Sequence, residues 1–371
     1  MNPRFSPGTN RWSRTPLALS IAACLLFSPP AATQPQGGDA FSPGWSYSTQ
    51  GSVFSSPRVA GGRVYVGSDD GHVYAIEAGS GRLAWRYATR GPVSSSPAFW
   101  DGRVYVGSRD GRLYALDAGT GSRLWDFETG GPIVSSPTVV EGVVYIGSDD
   151  QYLYAVDGRT GDRRWRVPAQ GAVTSSPAVA DGLVYFFGLF DHLYAVDLQS
   201  HQRRWSVKVD GGTFSLPPSV VERRLYFGMQ DGAVVAIDTW SGRLQVLARA
   251  EGNVTAAPLV REDTVYFGSW DKHLYAIDLQ TGRERWRFRT NGPIYSSPAW
   301  CDGIVYVGSW DKSVYAVDAV SGTLRGSFAT KGPVVSSPAV TSGSLYVGSG
   351  DGALYGVAVP CRAASEVSVE S

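Results

Sequence analysis

The sequence carries no excess of charge: 33 basic and 33 acidic residues cancel, so no global field steers the protein toward nucleic acid or an anionic membrane. It has no mature apolar run near the roughly 20 residues that a membrane-spanning helix needs. Helical periodicity is missing throughout. There are three cysteines, no two adjacent, and four histidines. What is abundant is aromatic side chains, at 12%, and glycine, at 45 residues, a composition of sheets, tight turns and docking surfaces that excludes a disordered chain.

The first 32 residues stand apart. Arg4, Arg11 and Arg14 precede an apolar run from Pro16 to Phe27, followed by small residues, which is the pattern of a secretory signal. Two processing readings stay open. Cleavage after Ala32 is one; the other is at Ile21-Ala22-Ala23-Cys24, which resembles a bacterial lipobox and would leave Cys24 as a lipidated N-terminus. Either way the mature chain is expected to be exported. Residues 33–44 read as a flexible linker and 360–371 as a polar tail.

Between them the sequence repeats. Units begin at Gly51, Gly91, Gly131, Gly171, Gly212, Gly252, Gly292 and Gly332, at intervals of 40 residues with a single interval of 41. In the unit from Gly91, Val93–Phe99, Arg103–Gly107, Arg112–Asp117 and a segment around Trp125 are separated by Asp101-Gly102, Asp110-Gly111 and Thr120-Gly121. Glycine at such turns makes consecutive antiparallel hairpins, so each unit is a four-stranded meander. Eight meanders arranged radially predict an all-β, eight-bladed propeller over residues 45–359. The eighth unit lacks an outer strand, and Trp45 lies six residues before Gly51 just as Trp85 lies six before Gly91. The N-terminal segment is therefore expected to complete the last blade.

Trp45, Trp85, Trp125, Trp165, Trp205 and Trp286 recur at one repeat position and are read as structural docking residues; Val246 and Gly326 hold that position in blades 5 and 7, the softer joints expected. Together with Ala115–Trp125 and its copies, these residues resemble the tryptophan-docking motif of the pyrroloquinoline quinone (PQQ) repeat propellers. The resemblance covers residues 45–359 and is most similar to the BamB-like outer-membrane protein assembly factors. That family implies a non-catalytic, periplasmic or outer-membrane-associated scaffold whose partner is another protein, an envelope assembly component. PQQ and calcium would enter only under the alternative of a quinoprotein oxidoreductase; a sensor or ligand-binding propeller is the other alternative.

The residues speak against catalysis. No inner-strand segment, from the origin glycine to the proline, contains Asp, Glu, Lys, Arg, His or Cys. His72, His192 and His273 share one repeat position and so are spread around the ring, with His201 replacing a turn glycine. Asp70 and its copies are expected to shape hairpins, and Asp117 and its copies to cap turns. Departures from the repeat are the pointers to function. Phe186, Phe187, Leu189 and Phe190 in blade 4, Met229 in blade 5, Trp270 in blade 6 and Trp310 in blade 7 suggest an apolar docking patch on one face. Arg203, Arg204, Arg223 and Arg224 read as solvated surface charge. Cys301, in the turn after the inner strand of blade 7, and Cys361 lie on one face of neighbouring blades and could pair.

Overall fold

The computed structural model describes residues 41–189, 192–209, 218–341 and 343–361. Cys24, the signal segment, most of the linker, Phe190 and all but the first two residues of the tail lie outside these. The described chain is all strand and turn, folded into eight four-stranded antiparallel sheets. Blade 1 contains Arg58–Ala60, Arg63–Gly67, His72–Glu77 and Leu83–Ala88 in that order from the hub outward. Blade 8 is composite: Ser42–Ser48 pairs with Ala353–Ala358, setting Trp45 opposite Gly356. The protein is an eight-bladed β-propeller, closed by its N-terminal strand.

The inner strands are shorter than their apolar pattern suggests. In blade 2 the strand is only Ala98–Trp100, and Ser95-Ser96-Pro97 before it is irregular. Side chains do the work of the ladder there. The Ser95 hydroxyl receives the Gly107 N–H at 2.9 Å and donates to the Gly107 carbonyl at 2.8 Å. The next serine reaches sideways: the Ser56 N–H donates to Ser96 Oγ, Ser96 to Ser136 and Ser136 to Ser176, at 2.8–2.9 Å. Ser337 donates to Ser56 Oγ at 3.0 Å across the seam. This belt gives the crowded axis hydrogen bonds without a strand.

The cores lie between blades, and the docking tryptophans close them. Trp85 on the outer strand of blade 1 donates its indole N–H to the Ala118 carbonyl of blade 2 at 3.0 Å. A Cβ added to Gly121 would sit 2.6 Å from that ring, so the turn must be glycine. Trp45, Trp125, Trp205 and Trp286 repeat the bond to Ala78, Gly158, Thr239 and Ala319 at 2.8–3.2 Å. At the remaining tryptophan joint His201 occupies the glycine position with φ 58°, and its ring stacks on Trp165 at 5.0 Å. Each buried indole contributes roughly 2–3 kcal/mol by area.

The two joints without tryptophan are compensated. In blade 5 the bulge that elsewhere precedes the tryptophan has moved, so that Val246 pairs with Val235 rather than with the alanine of the repeat. Val246 is 46% exposed, whereas Leu247 is buried against Tyr226, Val265 and Ile277 of the joint with blade 6. The residue that replaces the indole is thus Leu247 and not Val246, a correction to the alignment by sequence. At the joint of blades 7 and 8, Tyr306, whose counterparts pack on indoles, meets the Phe41 ring at 6.2 Å. A disulfide joins Cys301 to Cys361, with Cα atoms 5.7 Å apart. Cys301 is the last residue of the inner strand Ala299–Cys301, not part of the turn after it.

Leu247→Ala is expected to lower stability by about 2–4 kcal/mol, while Val246→Ala stays within about 0.5 kcal/mol, in urea titrations of the mature protein. Equal effects would reject the shifted register. Replacing both Cys301 and Cys361 by serine should cost about 2–4 kcal/mol in the same titration.

Candidate docking face at the hub

Among the described residues the turn between the second and third strands is anchored over the hub by one bond that recurs in seven blades, in blade 8 from the Gly350 N–H to the Pro333 carbonyl at 2.8 Å. In the other six the leading N–H of the turn donates to a carbonyl at the start of the inner segment: Asp69 to Ser52, Arg109 to Pro92, Asp149 to Pro132, Leu189 to Ala172, Trp270 to Asn253 and Trp310 to Pro293, at 2.9–3.0 Å. The backbone is thus constant and the side chain free to vary. These six side chains crown the axial mouth.

Behind them the repeated aspartates are fully engaged. Asp110 Oδ2 accepts the Arg90 N–H and the Tyr114 hydroxyl, both at 2.8 Å, and Oδ1 accepts the Arg112 N–H at 2.9 Å. Asp70, Asp150, Asp271, Asp311 and Asp351 tie a tyrosine hydroxyl in the same way. Burial alone would raise the Asp70 carboxyl; bonds from Tyr74 and from the Gln50 and His72 amides outweigh it and hold it low. Asp231 faces Val235 instead of a tyrosine and pairs with Arg249 at 2.7 Å. In blade 4 Phe190 holds the repeat position of this aspartate, and the Tyr194 hydroxyl accepts the Gln170 N–H directly at 2.9 Å. His72 and His273 lean on their own Asp70 and Asp271 at 3.2 Å. Among the described residues no cluster of three His, Cys, Asp or Glu side chains is placed to hold a metal.

On the far side of the disc, Asp117, Asp157, Asp197, Asp238, Asp278 and Asp318 cap the turns between the third and outer strands. Asp157 Oδ1 accepts the Arg159 and Thr160 amides at 2.8 and 3.0 Å, and Oδ2 the Arg164 guanidinium at 2.7 Å. The Arg164 bond, followed by the Thr160 amide, pulls the Asp157 carboxyl down to about 2.

The expected apolar patch divides on inspection. Phe186, Phe187 and Met229 are at most 4% exposed and belong to the cores between blades, so they are not contact residues. Phe186 stacks on Tyr194 at 5.0 Å. Phe187 replaces the glycine that ends the second strand in the other blades, and turns its ring edge onto Phe227 of blade 5 at 5.0 Å. Met229 stands where the other blades bury a serine or, in blade 4, Gly188. The side chains in the middle of the second strand point into the joints, whereas its first residue can stay at the surface, as Arg224 does. Leu189 and Trp310, in the turns themselves, are 50% and 47% exposed.

Trp270 and Trp310 are brought together by a residue that the sequence reading passed over. Tyr295 lies between them, 4.8 Å from Trp270 and 5.3 Å from Trp310, centroid to centroid. Trp270 is half-buried and donates its indole N–H to Thr255 Oγ1 at 3.1 Å. Tyr295 and Phe54 stand at a repeat position held elsewhere by Ser, Thr or Val, a departure that was readable. Both line an axial cavity of about 360 Å³, with Ser94, Val134, Thr174, Thr255 and the serine belt. Blades 1 to 3 give the opposite rim its charge. Burial raises the carboxyls of Asp69 and Asp149, and Arg109 works against that rise at both. The mouth is therefore ionic on one side and aromatic on the other.

The family model for outer membrane protein assembly factor BamB matches residues 42–98, 73–288 and 289–359. The chain belongs to that family. No curated protein sequence matches it significantly. Among solved structures, BamB from Moraxella catarrhalis superposes with a TM-score of 0.73 at 21% identity, covering 86% of this chain and 99% of that one. The computationally designed Ika8 protein gives 0.74 at 19% identity, covering 84% and 97%. A europium-containing methanol dehydrogenase gives 0.69 at 16%, covering 86% and 93%. At these identities the three likenesses establish the propeller fold alone.

The depressed Asp157 carboxyl fixes one pH dependence. A group lower in the folded than in the unfolded chain, where a carboxyl titrates near about 3.9, stabilises above that value and ceases to as pH falls through the folded one. The urea midpoint should hold from neutrality to about pH 5 and decline between about pH 4 and 2, and Asp157→Asn should flatten part of that decline. Burial pushes the Tyr105 and Tyr306 hydroxyls up to about 12, so a second decline is expected between about pH 10 and 12.

Proposed function

We propose that the protein is an exported, non-catalytic scaffold of the BamB kind, which holds an envelope protein partner during outer-membrane β-barrel assembly. The observation that carries this reading is the aromatic half of the hub mouth. Trp270, Tyr295 and Trp310 form one contiguous cluster, with exposed Leu189 on the same rim, on turns whose backbone is pinned to the inner segments. Aromatic anchors on a rigid frame lose little entropy on docking, and the charged half at Asp69, Arg109 and Asp149 supplies orientation.

The lining of the hub fits a quinone and its metal poorly. Among the described residues, the axial cavity offers hydroxyls, valines and two aromatic rings, and no carboxylate or carboxamide at its wall. Asp110 and its copies, in the turns behind the rim, spend their oxygens on protein donors, and the rim carboxylates Asp69 and Asp149 do not line the cavity. No described helix is long and apolar enough to cross a membrane. An exported chain, lipidated at Cys24 or cleaved after Ala32, would suit such a scaffold.

A variant carrying Leu189→Ala, Trp270→Ala and Trp310→Ala should lose the bulk of its crosslinked partner in native envelopes while still unfolding in one cooperative urea transition. Undiminished crosslinking in a folded triple variant would overturn the hub face as the docking surface. Quinone absorbance and dye reduction on adding PQQ with calcium would overturn the non-catalytic reading.

A further inference from the structure

A second site lies on the opposite face, where three departures from the repeat meet between blades 4 and 5. In blades 3, 6 and 7 the arginine before the docking position bonds the turn-capping aspartate of its own blade: Arg164 to Asp157, Arg285 to Asp278 and Arg325 to Asp318, at 2.6–2.7 Å. The equivalent Arg204 forms no ion pair among the described residues. It lies instead over the ring of Trp240 in the next blade, its guanidinium carbon 3.7 Å from the centroid. Trp240 is itself an exception, 61% exposed at a turn position that is Gly, Arg, Gln or Val in other blades. Arg223 is the third. It stands where six blades have glycine, in the left-handed region with φ 61°, and its guanidinium is 5.8 Å from the same indole.

A long side chain in a glycine conformation is uncommon, and two guanidinium groups gathered at one exposed indole repel each other. Neither makes an ion pair with a described acid, unlike Arg164, Arg285 and Arg325, although the charge of Arg204 reaches Asp197 and that of Arg223 reaches Asp238. A guanidinium lying flat on an aromatic face keeps its N–H edge free, and that edge matches a carboxylate bidentately. The cleft beneath, about 390 Å³, also contains Asp181 and Asp197. Asp181 makes no hydrogen bond or ion pair among the described residues and offers an acceptor for a backbone N–H. Two carboxylates beside two guanidiniums suit one incoming carboxylate better than a dianionic phosphate.

We propose that this cleft binds an acidic peptide segment, one glutamate or aspartate side chain held by Arg204 and Arg223, its backbone N–H by Asp181, and an adjacent apolar side chain against Trp240. The site is separate from the hub face, because the hub turns and the Trp240 turn lie at opposite ends of the blade strands.

The test titrates the mature protein with an acetylated, amidated Glu-Glu-Leu-Glu-Glu peptide, following calorimetric heat and the Trp240 indole N–H resonance, assigned by its loss in Trp240→Phe. Binding is expected, weakening with added salt. Arg204→Lys, which keeps the charge and loses the fork, and Arg223→Gln should each weaken it about tenfold or more. Both positions are exposed, and unchanged melting curves confirm folding. The Trp270→Ala, Trp310→Ala variant should bind the peptide normally, which separates this site from the hub. Equal binding of the glutamine analogue, wild-type affinity in Arg204→Lys, no binding at all, or displacement of the resonance by inorganic phosphate or a neutral saccharide in place of the peptide would each overturn the proposal.

Discussion

The contact on which the ring depends is the one between an outer strand and the turn of the next blade. A four-stranded sheet of this length cannot bury two faces alone, so every core in the molecule is shared by two blades. The indole seals that core at its rim, and it can do so only where the facing turn offers a left-handed glycine and a bare carbonyl. Five tryptophans meet this requirement, and at the sixth, Trp165, His201 takes the left-handed position and stacks its ring on the indole. The joints that lack one show how strict the demand is: a bulge moves to turn Leu247 inward, and Phe41 with the Cys301–Cys361 bond serves where Gly326 leaves nothing to dock.

Because backbone geometry repeats so closely, variation in side chains is concentrated where it does not disturb closure. Seven of the turns over the hub keep the same amide-to-carbonyl tether among the described residues, yet carry Asp, Arg, Leu, Trp or Gly. The turns on the other face are held by capping aspartates and carry Gly, Arg, Gln, Val or Trp. A propeller built in this way is a rigid frame with two sets of exchangeable positions. The hub rim gathers an ionic and an aromatic half, and the cleft of blades 4 and 5 gathers two guanidiniums around one indole.

Much of this was legible in the sequence. Constant spacing from Gly51 to Gly332 determines blade number, and the misplaced Trp45 reveals how the ring shuts. The roles of Asp70 and Asp117 and their copies follow from turn chemistry. What escaped was whatever depends on strand register or direction. Phe186, Phe187 and Met229 look like surface aromatics and apolars because they interrupt a Gly-Ser pattern, but they sit on or beside a strand whose side chains face the neighbouring blades. Leu247 was hidden because a bulge can shift by two residues without changing the spacing of repeats. Tyr295 is inconspicuous because it lies in a serine-rich segment that contains no charged residue. Arg204 and Arg223 look like ordinary solvated charge in the sequence, and only their gathering around Trp240 distinguishes them.

The composite blade has a kinetic corollary. A chain made from its N-terminus produces Ser42–Ser48 first and its partner Ala353–Ala358 last, so the earliest strand waits as an unpaired edge through the making of nearly the whole ring. Seven blades can stack by neighbour contacts alone, but the circle stays open until that distant pairing forms. Nascent copies are therefore most exposed to strand exchange with one another just before completion, when each displays one half of the same unfinished sheet.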